Sequence, residues 1–152
     1  MYRFFEVFKT LKLPEDLAVY FENVEVTKVS KTSTNSLARV YIKSDRVIEK
    51  PIIFKVEDAL KKQIFRISNM DVRIIDRYVL SAQYTPQTVM DIYYDSILAE
   101  LEKYWTLEYN LLKNSQWEFE KEDMLVFTIE DSFLAHQDAD TLTDHFKKIF
   151  LN

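Results

Sequence analysis

The sequence predicts an α+β protein made of two tandem helix–β-hairpin–helix(–strand) units, and three observations lead there. Short runs that alternate apolar and polar residues are interleaved with stripes at spacings of three and four. The order of those elements in residues 1–82 returns in residues 83–152. The chain of 152 residues is 47% hydrophobic and 14% aromatic, with 11 Phe and 9 Tyr, ample bulk for the cores of one ordinary domain or two very small ones.

Phe4, Val7, Phe8 and Leu11 lie three, one and three residues apart, which predicts a helix over residues 2–11. Pro14, with Glu15 and Asp16 behind it, opens a second short helix reaching about Glu22, where Asn23 stops it. Val24 and Val26 alternate with Glu25 and Thr27 as a strand. Residues 31–36 are a polar turn, and residues 37–43 alternate again, so the two strands form a hairpin. Residues 44–50 are a charged connection. Ile53, Val56, Leu60 and Ile64 then mark a helix ending near Phe65. Ser68 and Asn69 break it, and residues 70–80, rich in Val, Ile and Tyr, read as a third strand.

Thr85 and Pro86 supply an N-cap and a first-turn proline for the next helix. Its stripe is Val89, Tyr93, Ile97 and Leu101, and it runs to about Trp105. A short helix follows with Leu107, Leu111 and Leu112. Trp117 and Phe119 mark a strand, residues 121–123 a tight turn, and residues 124–129 a partner strand apolar enough to be covered on both faces. Residues 133–139 read as irregular. A closing helix over residues 140–150 carries Leu142, Phe146 and Ile149. The two halves thus read as copies of one small unit, the second ending before a last strand, against the plainer alternative of a coincidence between two common helix–hairpin–helix arrangements.

Composition excludes several chemistries. There is no cysteine, hence no disulfide, thiolate metal site or thiol nucleophile. Such a chain suits a reducing, cytoplasmic setting, and no apolar run approaches the length of a membrane span. There is also no glycine. Phosphate-cradling loops, the dinucleotide-binding turn and the GXXG clamp of RNA-binding KH domains all require it. Any left-handed backbone position must therefore fall to Asn or Asp. The formal net charge is −5 and the isoelectric point about 5.1, a poor starting point for binding a polyanion.

The candidate sites are few. His136, Asp138, Asp140, Asp144 and His145 resemble a metal-ligand cluster, but we read them as an acidic helix start. No metal or cofactor is expected. The carboxylates of residues 118–123 read as a solvated turn rather than an acid–base pair. Lys28, Lys31, Arg39, Lys43, Arg46 and Lys50 concentrate charge around the first hairpin, with Tyr41 among them. Lys28, Arg39, Tyr41 and Lys43 form a candidate surface for nucleic acid or a partner. The plainer reading is a solvated face with cross-strand pairs, Glu25 against Arg39 or Lys43. Tyr104, Trp105 and Trp117 are candidate partner anchors, or core.

Taken together, residues 16–28 with their Tyr-Phe-Glu before the first strand, Val40-Tyr41-Ile42, the helix from Tyr93 to Trp105 with Ile97-Leu98-Ala99-Glu100-Leu101, Leu125-Val126-Phe127-Thr128-Ile129, and Phe146-Lys147-Lys148-Ile149 resemble the N-terminal region of PolC-type DNA polymerase III alpha subunits, replicative enzymes of low-GC Gram-positive bacteria. The resemblance is one of pattern and order along nearly the whole chain and includes no catalytic signature. It implies a non-catalytic module, ahead of the OB-fold, 3′–5′ exonuclease and polymerase parts of a longer chain. It implies a first unit similar to the C-terminal domain of the clamp-loader tau subunit, a KH-like fold without the GXXG loop. It implies attachment to replisome proteins, with tau as the first candidate partner, and DNA contacted mainly through the parent polymerase. It also implies a further strand beyond residue 152, which would make Asn152 a boundary inside a longer protein.

Overall fold

The computed structural model describes residues 1–80 and 84–150. The chain divides into two compact units, Met1–Gln83 and Tyr84–Asn152. The boundary expected between residues 82 and 83, and the chain end at Asn152, lie outside the described residues.

The first unit runs β1 (Tyr2–Arg3), α1 (Phe4–Val7), α2 (Glu15–Ala18), β2 (Glu25–Lys31), β3 (Leu37–Ser44), α3 (Lys50–Gln63) and β4 (Asp71–Tyr78). Its sheet has the order β1-β2-β3-β4. β1 and β3 flank β2 antiparallel, while β3 and β4 run parallel, joined through α3. The helix expected over residues 2–11 is only four residues long. Tyr2 and Arg3 instead pair with Val26 and Glu25, and Phe4 N–H donates to the Val24 carbonyl at 2.9 Å. Arg3 N–H donates to Glu6 Oε2 at 2.9 Å, which closes the first turn. Phe8 leaves the helical region at φ −109°, ψ 58°. The second helix is likewise one turn, with Pro14 as its N-cap rather than its first residue.

Every second residue of β3 is buried: Ala38, Val40, Ile42 and Ser44. Val72 and Ile74 of β4 continue that face. α3 lays Ile53, Val56 and Leu60 on it, and Phe4, Phe8, Leu11 and Phe21 close the near end of one core. Phe4 is fully enclosed, its ring 5.0 Å from Phe8 and 4.7 Å from Phe21.

Two left-handed positions occur among the described residues, Asn35 (φ 53°) and Asn69 (φ 49°). Asn35 turns the β2–β3 hairpin, where its N–H donates to the Thr32 carbonyl at 2.9 Å. Asn69 turns the chain into β4. Both take the place glycine would ordinarily hold.

The second unit runs α4 (Pro86–Tyr104), α5 (Thr106–Lys113), β5 (Gln116–Lys121), β6 (Met124–Thr128) and α6 (Phe133–Phe150). β5 and β6 form a two-stranded antiparallel sheet. Met90, Tyr93, Ile97, Leu101, Leu112, Ala135, Leu142 and Phe146 are its buried apolar residues. Two expectations are corrected. Residues 133–139 are helical, because Ser132 caps them: its carbonyl accepts from His136 N–H and its Oγ from Ala135 N–H, both at 3.1 Å. β6 is not covered on both faces, since Leu125, Val126 and Phe127 are half-buried and Met124 is exposed.

Candidate binding face of the first unit

The four-stranded sheet carries its core on one side, and side-chain parity decides what the other side displays. On β3 the residues that alternate with the buried set are Arg39, Tyr41 and Lys43. The parallel register sets Arg73 beside Arg39, Ile75 beside Tyr41 and Arg77 beside Lys43. Neighbouring strands lie about 4.8 Å apart and successive same-face rows about 7 Å apart. Two rows of paired cations therefore flank a central Tyr41–Ile75 pair.

Lys28 reaches this face through an irregularity. Val26 points to the core, and strict alternation would send Lys28 there too. The register shifts between them: Val26 lies opposite Ile42 but Lys28 lies opposite Tyr41. The extra residue, Thr27, donates its hydroxyl to the Tyr41 carbonyl at 3.3 Å. This bulge flips the remainder of β2, and Lys28 Nζ comes to rest 5.6 Å from the Tyr41 ring centroid. That is a cation–π distance.

Other basic residues named from the sequence leave the face. Lys50 is buried in an ion pair with Asp76 at 2.5 Å, the two side chains 6% and 8% exposed. The Tyr78 hydroxyl donates to Asp76, and the Ile48 carbonyl lies 3.1 Å from the same oxygen as a second acceptor for its one proton. Arg46 donates to the Val19 carbonyl and lies over the Tyr20 ring. Glu25 aligns with Lys43 rather than Arg39. Counting Arg3 beside Glu25, the face carries six cations against Glu25, while Asp71 at the start of β4 pairs with Lys61 of α3 at 2.5 Å.

Arg73 and Arg77 were not among the residues singled out from the sequence. Alternation within β4 carries the signal, since Val72 and Ile74 are its buried set. A second signal is the charge split. Met1–Gln83 contains 15 Lys and Arg against 11 Asp and Glu, a formal net of +4. Tyr84–Asn152 contains 5 against 14, a net of −9. The whole-chain value of −5 conceals a basic first unit.

The proposed anchors of the second unit pack mainly within it. Trp105 lies between Tyr104 and His145, at 5.5 and 4.6 Å between ring centroids. Trp117 packs on Tyr94 at 5.7 Å and Phe119 at 6.4 Å. Both indoles are half-buried, and Tyr104 is exposed. Burial against Trp105 holds the His145 pKa below its ordinary value, with Glu108 opposing and Lys148 assisting that shift. His136 pairs with Asp131 at 2.7 Å. Among the described residues no three His, Asp or Glu side chains gather as metal ligands, and no helix is long and apolar enough to cross a membrane.

Residues 3–74 match the family model described as DNA polymerase III polC-type N-terminus I. The match runs from β1 into β4 and so takes in both strands of the hairpin, α3 and the cation rows up to Arg73. No curated protein and no solved structure matches the chain.

Proposed function

We propose that the first unit, whose residues 3–74 match the family model of the DNA polymerase III polC-type N-terminus I, is a non-catalytic docking module of a replicative polymerase, attaching it to another replisome protein during DNA replication. The nucleotidyl transfer and 3′–5′ exonuclease of such an enzyme would belong to other parts of it. The observation that carries the docking role is the basic outer face, where cation rows surround Tyr41 and Ile75. An acidic surface with an apolar centre complements it, and charge complementarity sets partner choice and encounter rate. The clamp-loader tau subunit is the first candidate, by the resemblance of the chain.

One observation favours a second reading on the same face. Lys28 over Tyr41, with cations about 7 Å apart along the strands, could hold single-stranded DNA. Stacking platforms for single strands use successive aromatic rings, however, and here Tyr41 is followed laterally by the aliphatic Ile75. That contrast supports protein attachment as the first reading.

The test is calorimetric titration of the chain with purified tau subunit, beside single-stranded DNA at low salt. Docking predicts heat with tau and loss of about tenfold or more in affinity for Arg39→Glu/Arg77→Glu. Heat with DNA alone, falling steeply with salt, would transfer the face to nucleic acid. Silence with tau would overturn tau as partner, and nucleotide incorporation by the chain alone would overturn the non-catalytic reading.

A further inference from the structure

The second unit has a surface of opposite character. α5 turns Glu108 and Leu112 inward, which leaves Leu107 and Leu111, one helical turn apart, on another side. Leu107 is 54% exposed. The first turn of α6 supplies Leu134, 57% exposed, beside the buried Ala135. Between these lies an open groove of about 210 Å³ whose rim includes Glu130 and Asp138. Phe133, 83% exposed, precedes Leu134 at the start of α6. Large apolar side chains left in water in one place mark interaction sites. The groove is smaller than the usual small-molecule pocket of about 300 Å³ or more. It is sized for a few side chains of a partner.

We propose that this groove docks a basic amphipathic helix of another protein. Leucines one turn apart on α5 complement a helix that presents apolar residues at i and i+4. The carboxylates of Glu130 and Asp138 would meet Lys or Arg flanking that apolar stripe. The surrounding unit, at a net −9, attracts cations and repels acidic helices of the same apolar pattern. Neither the family match, which ends at residue 74, nor the basic face of the first unit bears on this site.

The experiment is fluorescence anisotropy of a labelled synthetic helix, Leu at i, i+3, i+4 and i+7 and Lys elsewhere, titrated with the whole chain. Two control peptides have the same composition in scrambled order and the same apolar pattern with Glu for Lys. The expected result is binding of the Lys helix alone. Leu107→Asp or Leu134→Asp should weaken it about tenfold or more, and Glu130→Lys/Asp138→Lys should weaken it severalfold. These positions are exposed or on the rim, and circular dichroism would verify that each variant is folded. Equal binding by the scrambled peptide would reduce the effect to net charge and overturn the proposal. So would concentration-dependent self-association of the chain that Leu107→Asp abolishes, since the occupant would then be a second copy.

Discussion

At the scale of single residues, the first unit concentrates its vulnerability in a few buried polar contacts. Lys50 and Asp76 are both nearly enclosed, so removing one takes a counter-charge 2.5 Å away from the other in a site that water scarcely reaches. Asp76→Ala should lose about 3–5 kcal/mol of stability, read as a drop in urea midpoint at unchanged slope. Asn35 has the opposite profile. Its φ of 53° admits glycine, so Asn35→Gly should lie within about 0.5 kcal/mol of wild type, while Asn35→Val should cost about 1–2 kcal/mol. His145 adds a pH term. Its folded pKa lies below the ordinary 6.5 because burial disfavours the cation. The unfolded chain therefore binds the proton more readily, and stability is full above pH 6.5 and lost as pH falls through the folded pKa. Glu108, Glu100, Asp144 and Lys148 share that environment. His145→Gln should flatten the acid side of a melting-temperature profile, and an unchanged slope would refute the assignment. The use of Asn at left-handed positions was legible in advance, because a chain without glycine leaves little other choice. Lys28 was grouped with Arg39, Tyr41 and Lys43 from its charge, while the bulge that brings it there shows only as a change of apolar spacing, from two between Val24 and Val26 to three between Val26 and Val29.

At the scale of elements, local pattern and tertiary pairing compete. Phe4, Phe8 and Leu11 have helical spacing, yet what they satisfy is burial in one core, and residues 2 and 3 gain more from pairing with β2 than from a helix end. A helix of four residues has little stability of its own, so packing decides its limits. α6 errs in the other direction: the absence of glycine and proline between Ser132 and Phe150 was visible, and the cap at Ser132 makes helix the economical outcome. α3 was legible throughout because Ile53, Val56 and Leu60 repeat over several turns. Its Glu57 has a further task. The carboxylate, 4% exposed, accepts from Ile74 N–H at 2.7 Å, a backbone donor on a strand paired through β3 alone. Glu57→Gln retains an acceptor and should be mild. Glu57→Leu should expose that amide, raising its hydrogen-exchange rate and costing about 1–3 kcal/mol.

At the scale of the whole molecule, the two units differ in size, topology and electrical sign. The α+β class and most of the order of elements were readable from periodicity; of the segments on which the likeness to the polC-type N-terminus was read, residues 16–28 and Val40–Ile42 lie within the matched residues 3–74, and those of the second unit lie beyond it. The candidate face was half readable. Its β3 row was in view, but its β4 row depends on a parallel pairing made across a long crossover, which a local pattern does not encode. The charge split was present in the sequence and hidden by adding across both units. On the bench it has a direct expression. A column supplies a charged plane and samples whichever part of a macromolecule meets it best, so a body divided this way need not obey its isoelectric point of about 5.1. At pH 7 and low salt the chain should be retained by a sulfonate resin as well as by a quaternary-amine resin. Arg39→Glu/Arg77→Glu should abolish the first behaviour and leave the second, which would make purification itself an assay for an intact sheet face.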